Sequence, residues 1–323
     1  MRICVYHPTM GQVLAAEISE AFPQAHIRIE RDSKTDPSQR ETLEVLVANT
    51  FPPGLLGRCP QLRLLHLTGS GTDHLASGRP RADLLVTTSS TVPASAVAEF
   101  AWMGVMALAK DAVRMVEHQQ QRLWQLPDAR LLAGSRLLLV GLGRIGAQIA
   151  RRARGLDVRV TAVTRTAAAH PDADTVVPPD RLPAEAARAD HLVVAVPGTP
   201  LTRHLVDARV IGALPDHATL VNVARSSVVD VDALVAALRA GRLRGALLDV
   251  HDQEPLPADS PLWSVPRLWV TPHGAYRFPE EEREVARLVV HNLRALHGVG
   301  SLRNQVPVPA EAPSLPSVTS IRS

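Results

Sequence analysis

Residues 136–140 (RLLLV) run directly into Gly141-Leu142-Gly143-Arg144-Ile145-Gly146, and a helical pattern over 147–154 follows. No other feature of the chain narrows its fold as much. A continuous apolar run of this length is what a strand buried on both faces requires. In the G-x-G-x-x-G after it, Gly141 permits a tight turn, Gly143 lets the backbone approach a pyrophosphate, and Gly146 packs the helix against the strand. The helix N-terminus, with the amides of Arg144 and Ile145, adds donors and partial positive charge. Alone the motif is weak, and a ligand-free glycine turn is the bland alternative. Placed between a strand and a helix, it predicts a dinucleotide-binding unit.

The rest of the chain repeats the alternation of strand and helix. Residues 2–7, 26–30, 45–49, 64–68 and 84–88 read as strands, separated by polar or amphipathic stretches. Further strands are expected at 158–164, 191–196, 219–223, 245–250 and 268–271. Such alternation predicts parallel α/β sheets. A single long helix is expected over 94–121, opened by Pro93, and shorter ones over 231–240 and from Pro279 to about His297. The Pro- and Ser-rich residues 307–323 read as a disordered tail. At 323 residues the chain suits two domains.

Composition excludes several classes. Hydrophobic residues are 46% and charged residues 21%, as in globular proteins rather than disordered chains. Thirty-five basic residues against 32 acidic leave +3, but the lysines are Lys34 and Lys110 alone and the arginines are scattered. With no basic block and only 3% aromatics, nucleic acid is not an expected partner; local arginine pockets for small anions fit better. No apolar run reaches the ~18–20 residues that span a bilayer. The first residues lack an apolar segment before a small-residue cleavage site. Cys4 and Cys59 make neither a disulfide framework nor a zinc spacing. The expectation is a cytoplasmic protein without membrane or metal.

The strand after the glycine turn normally ends in an acid that accepts hydrogen bonds from the adenosine ribose. Here Thr164-Arg165-Thr166 stands there, Arg165 nineteen residues after Gly146, and the next acid is Asp172. A guanidinium at this place favours a 2′-phosphate, hence NADP over NAD; an exposed arginine with NAD held elsewhere is the alternative.

Three polar groups stand at successive predicted strand ends: Asn222-Val223-Ala224-Arg225-Ser226, Asp249-Val250-His251-Asp252-Gln253-Glu254, and Thr271-Pro272-His273-Gly274. Ligands bind at the C-terminal ends of strands in doubly wound sheets. Arg225 can grip a carboxylate and polarise an adjacent carbonyl. His273 can donate or accept a proton near neutral pH, and Glu254 can orient it and stabilise its charged form.

On these residues the chain resembles the D-isomer-specific 2-hydroxyacid dehydrogenase family, glyoxylate/hydroxypyruvate reductases among them. The resemblance runs to about Val306 through LVGLGRIG, VAVPGTPLTRHLV, LVNVARSSVVDVDALVAAL, GALLDVHDQEPLP and SPLWSVPRLWVTPHGA, in that order. It implies two doubly wound parallel-sheet domains, a Rossmann cofactor domain over 98–276 inserted in a flavodoxin-like substrate domain made of 1–97 and 277–306. It implies that Arg225 binds substrate in catalysis, that Glu254 partners the general acid/base His273, and that Asp249 contacts the nicotinamide carboxamide. Pro197, Thr202, Val223, Ala224 and His273 join Gly141, Gly143, Arg144, Ile145, Gly146, Thr164, Arg165 and Thr166 along the cofactor. The turn Ser70-Gly71-Thr72-Asp73 resembles the one whose amides hold the substrate carboxylate, and glycines around Ser70 allow such an anion nest. The region 94–121 and the arm after it resemble a homodimerisation element.

The chain departs from the family at His74, where Asn is frequent, at Ser89-Ser90-Thr91, where a Pro-Gly pair is common, at Ser226-Ser227, usually Gly-Gly, and at Gly274-Ala275-Tyr276-Arg277. These positions adjoin the substrate, so its identity stays open. The expected reaction is hydride transfer between NADPH, with NAD possible, and a small 2-oxo acid or D-2-hydroxy acid. Alternatives are a phosphonate or phosphorus-oxyacid dehydrogenase, for which Tyr276 and Arg277 suit a doubly charged group, and an NAD(P)-sensing corepressor or scaffold. Arginine and histidine supply the polarisation a Lewis acid would, so no metal is expected. Met103, Met106 and Met115 read as core or interface, and His251 and Asp252 as neighbours of Glu254.

Overall fold

The computed structural model describes residues 1–31, 40–72, 75 and 80–307. Asp73, His74 and all but Pro307 of the tail lie outside the described residues. The chain divides into two compact units, Met1–Val92 with Pro279–Ser323, and Pro93–Phe278. The sequence reading places these boundaries after Val97 and before Arg277.

In the first unit, β1 (Arg2–Tyr6), β2 (His26–Glu30), β3 (Val45–Ala48), β4 (Leu64–Leu67) and β5 (Leu85–Thr88) form a parallel sheet in the order β2-β1-β3-β4-β5. That is the flavodoxin-like order. Alternate side chains serve opposite faces. Ile3, Val5, Val45, Val47 and Leu64 pack with Leu14 and Ile18 of α1 (Gly11–Ala21) and with Val285, Val289 and Leu293 of α8 (Glu281–Leu296). Cys4, Leu46, Leu65, Leu67 and Val86 form the core of the other face. The unit is closed from far along the chain. Gln305 bridges Thr87, and the Val306 amide donates to the Val86 carbonyl at 2.9 Å.

The second unit holds α2 (Ala94–Ala109), α3 (Ala112–Gln120), β6 (Arg136–Val140), α4 (Arg144–Ala153), β7 (Arg159–Val163), β8 (Thr175–Val177), α5 (Leu182–Ala186), β9 (His191–Val194), α6 (Ala208–Ala213), β10 (Thr219–Asn222), α7 (Val231–Arg239), β11 (Gly245–Leu248) and β12 (Leu268–Val270). Its strands are parallel in the order β12-β11-β10-β9-β6-β7-β8. The order reverses direction beside β6, the switch point at which such sheets bind ligands. Leu137, Leu139, Val193, Val221 and Leu247 pack under α2 and α4. Leu138, Val140, Leu192, Val194, Leu220 and Leu248 pack under α5, α6 and α7. Burial on both faces is why β6 reads as an uninterrupted apolar run.

The single helix expected over 94–121 is two helices. Asp111 takes a left-handed backbone (φ 62°). Arg244, just before β11, donates to the Leu108 carbonyl at 3.0 Å and the Ala109 carbonyl at 3.4 Å, satisfying the end of α2 from outside the helix. Its other arm pairs with Asp128 at 2.7 Å. Strand β8 was not anticipated. Three half-exposed residues at a sheet edge carry too little periodicity to read.

Candidate active site

The parallel strands of the second unit bring their C-terminal ends to one edge of the sheet. After β6, Gly141 has φ +102°, and a Cβ there would meet Val196 Cγ1 at 2.6 Å and the Ala195 carbonyl oxygen at 2.7 Å. A Cβ on Gly146 would collide with the Gly141 carbonyl, so the start of α4 rests directly on the turn. Gly143 differs. Its φ of −76° suits any residue, and a Cβ there would point into open space. Neither backbone nor packing asks for glycine, and the open space beside it leaves the backbone approachable by a ligand. Gly143 also offers α4 no capping side chain, so the first-turn amides face that space. The residues fit a dinucleotide pyrophosphate.

At the end of β7 the Thr164 hydroxyl accepts from the Ala167 amide at 3.1 Å, and Arg165 and Thr166 are exposed. Asp172, the next acid, pairs with Arg151 at 3.5 Å and Arg154 at 3.9 Å. After β9, Thr202 donates to the Pro197 carbonyl at 2.7 Å and accepts from the Thr199 amide at 2.8 Å, pinning the loop at its exposed tip.

Arg225 is set by the last residue of β10. Asn222 is fully buried; its Oδ1 accepts from the Ala224 amide and its Nδ2 donates to the Arg225 carbonyl, both at 3.0 Å. Val223 and Ala224 are thereby fixed and buried, and Arg225 leaves the turn extended, its Nη1 donating to the Ala224 carbonyl at 2.7 Å. An asparagine closing an apolar strand was the available signal for this clamp.

Glu254 and His273, from the ends of β11 and β12, meet. His273 Nδ1 lies 2.7 Å from Glu254 Oε2, and the His251 amide donates to Glu254 Oε1 at 2.9 Å. Burial opposes ionisation of Glu254. The hydrogen bonds from His273 and the His251 amide outweigh it and hold the carboxyl below its ordinary range. An ionised Glu254 only accepts, so Nδ1 carries the hydrogen of this contact.

His273 has a left-handed backbone, φ 51°, a conformation costing non-glycine residues ~1–3 kcal/mol unless their surroundings impose it. The surroundings are Asp249. It is 0% exposed; Oδ1 accepts from the Thr271 hydroxyl at 2.7 Å and the Gly274 amide at 2.9 Å, and Oδ2 from the Ala275 amide at 2.9 Å. The three donors bracket His273. The Tyr276 ring stands edge-on to the imidazole at 6.0 Å, with the Arg277 guanidinium 6.0 Å from the Tyr276 centroid.

In the first unit, Ser70, Gly71 and Thr72 follow β4, and the Leu75 amide donates to the Thr72 carbonyl at 3.0 Å. Among the described residues, the hydroxyls of Thr68 and Ser70 are buried without a hydrogen-bond partner.

Residues 102–275 match the model of the D-isomer specific 2-hydroxyacid dehydrogenase NAD binding domain. The chain belongs to the D-isomer-specific 2-hydroxyacid dehydrogenases. It is 34% identical over 251 residues to the (S)-sulfolactate dehydrogenase of Chromohalobacter salexigens, a match covering 76% of this chain and 81% of the relative. It is 30% identical over 286 residues to the glyoxylate reductase of Korarchaeum cryptofilum, covering 85% and 84%. The crystal structure of a D-isomer specific 2-hydroxyacid dehydrogenase from Xanthobacter autotrophicus Py2, in complex with NADPH and MES, superposes with a TM-score of 0.83 at 32% identity, covering 94% of this chain and 97% of that one. A 2-hydroxyacid dehydrogenase with its dinucleotide-binding domain carries hydride between a nicotinamide cofactor and a 2-oxo acid or 2-hydroxy acid, and that is the reaction class of this chain. Among the described residues no helix is long and apolar enough to cross a membrane.

Proposed function

We propose that this dehydrogenase reduces a small 2-oxo acid with His273 as general acid, and runs the reverse oxidation with His273 as base. The observation that carries the reading is the 2.7 Å contact between His273 Nδ1 and Glu254 Oε2. With Nδ1 committed to a carboxylate, Nε2 is the nitrogen left to protonate the incipient alkoxide. Glu254 orients the ring through that contact. Arg225 grips the substrate carboxylate and polarises the adjacent carbonyl. When bound, the nicotinamide supplies or accepts the hydride. The residues we assign to holding the cofactor are Gly141, Gly143, Arg144, Ile145 and Gly146 at the pyrophosphate, Thr164, Arg165 and Thr166 at the adenosine end, and Pro197, Thr202, Val223 and Ala224 along its length. Asp249 holds the His273 turn; a contact to the nicotinamide carboxamide would add one more hydrogen bond to the same carboxylate. Ser70, Gly71 and Thr72 keep a proposed part in anion binding, supported by the unpartnered hydroxyl of Ser70 and that of Thr68 two residues before it. NADP is the preferred cofactor in this reading, because Arg165 stands where an acid would repel a 2′-phosphate.

Cofactor oxidation should be followed across a panel of 2-oxo acids, including glyoxylate, hydroxypyruvate and the 2-oxo acid corresponding to sulfolactate. Turnover of any member at enzymatic rates supports the reading. Tight cofactor binding with no turnover on the panel would favour a dinucleotide sensor. A substrate with a second anionic group is favoured by one observation, the placing of Tyr276 edge-on to His273 with the Arg277 guanidinium beside it.

We also infer a homodimer formed through α3 and the arm after it. No residue of α3 is buried, and Trp124 is 98%, Leu126 85% and Leu131 78% exposed. Sedimentation should give twice the chain mass, and Trp124→Glu should lower it; a monomeric parent overturns the inference. Buried free thiols at Cys4 and Cys59 suit a reducing, cytoplasmic setting.

A further inference from the structure

His251 lies between the Glu254 loop and the His273 loop and touches both. Its backbone amide donates to Glu254 Oε1 at 2.9 Å. Its ring Nε2 lies 2.9 Å from the Thr271 carbonyl oxygen, which can only accept, so Nε2 carries a hydrogen. Thr271 is the residue whose carbonyl also receives the His273 amide, at 3.1 Å. One residue thus ties the carboxylate's own loop to the start of the turn that carries the imidazole. Asp249, two residues earlier on the same strand end, grips the far side of that turn through the Gly274 and Ala275 amides.

His251 is 9% exposed as a residue, and its Nδ1 is buried with no hydrogen-bond partner. Space filling alone does not favour a histidine here. Phenylalanine would occupy a similar volume and bury no unpaired nitrogen, which is the more favourable choice for a packing position. What histidine offers that phenylalanine lacks is the Nε2–H donor to Thr271.

We propose that His251 is a positioning residue: it sets the distance and angle between Glu254 and His273 by cross-linking their loops. This rests on the reading of His273 as acid/base with Glu254 as its partner. A misplacement of about 1 Å at such a pair can cost up to roughly a hundredfold in rate. Loss of the tether therefore falls on the chemical step, while the glycine turn that holds the cofactor is untouched.

The test compares His251→Phe, which keeps the ring and removes the donor, with His251→Gln, whose amide nitrogen can reach the same carbonyl. Both are measured in the parent and in the Glu254→Gln background, with a substrate the parent turns over. His251→Phe should lower kcat about ten- to a hundredfold. KM, cofactor Kd and thermal midpoint should stay near parental values, and His251→Gln should restore most of kcat. Because His251 acts through the pair, His251→Phe should cost little further once Glu254 is Gln. Parental kcat in His251→Phe, no recovery in His251→Gln, or full additivity with Glu254→Gln overturns the proposal. So does a loss of kcat matched by loss of cofactor binding and thermal stability. If His273→Ala retains parental kcat, the acid/base reading itself has failed, a result visible without any His251 variant.

Discussion

Asp249 receives the Gly274 amide at 2.9 Å, one residue beyond His273, and is itself fully buried. A carboxylate without exposure needs every donor it has. Here the donors are the backbone of the very turn that presents the imidazole, so the charge that must be satisfied and the backbone conformation that must be imposed satisfy each other.

Replacing Asp249 with Ala should therefore damage both stability and rate. It strands the buried Ala275 amide, a loss of ~1–3 kcal/mol, and the half-buried Gly274 amide, and leaves the Thr271 hydroxyl only the Leu248 carbonyl at 3.4 Å. It also releases His273 from its left-handed conformation. Asp249→Asn keeps one acceptor oxygen but turns an NH₂ towards an N–H, so it should fall between. Thermal midpoints and kcat of the two variants check this; an Asp249→Ala enzyme with parental values for both would show that the turn holds itself.

Acid should weaken the first unit through a buried histidine. His66 is fully buried between the Thr87 and Ser89 hydroxyls, at 2.8 and 2.9 Å, and burial pushes its pKa down from 6.5 to about 3. In the unfolded chain the ring takes a proton below about 6.5, whereas the folded ring refuses it until about 3. Stability is thus fully present above pH 6.5 and declines as pH falls towards 3, by up to about 1.4 kcal/mol per unit from this group. Burial depresses His7 similarly, to about 4, in the same direction. All four tryptophans lie outside this unit, so hydrogen exchange of the β4 and β5 amides is the appropriate probe. Their opening free energy should fall between pH 6.5 and 4.5, less steeply in His66→Gln. Equal slopes in parent and variant would rule out His66 as the source.

The cofactor preference should reside largely in one side chain. A charge-assisted contact from Arg165 to a 2′-phosphate is worth ~1.5–3 kcal/mol, about ten- to a hundredfold. Arg165 is exposed, so the lower part of that range applies. The ratio of kcat/KM for NADPH to that for NADH should exceed one and drop about tenfold in Arg165→Ala. A parental preference for NADH, or a ratio indifferent to Arg165, contradicts the assignment.

The parallel strands were legible because both faces of each sheet are covered. Runs such as LLLV at 137–140 and LVV at 192–194 are apolar throughout and are followed by polar strand ends. Those ends carry the proposed site: Arg225, Glu254 and His273 are singled out by their place after a strand, and Glu254 and His273 do meet. Less could be read where the cause lies elsewhere in the chain. The carbonyls that end α2 are met by Arg244, which approaches from the start of β11. Asn222 as the clamp on Arg225, and His251 as a link between two loops, are properties of contacts rather than of spacing. The left-handed backbone of His273 is likewise imposed by Asp249, twenty-four residues earlier.

Proton transfer by His273 is tested by kcat for reduction in His273→Ala, measured beside cofactor Kd in the same preparation. General acid catalysis is typically worth ~10²–10⁴-fold. The glycine turn proposed to hold the dinucleotide pyrophosphate lies between β6 and α4 and does not involve the imidazole. In His273→Ala, kcat should fall by that order, with cofactor Kd within about twofold of the parent. A variant that binds cofactor normally and turns over at the parental rate would contradict it.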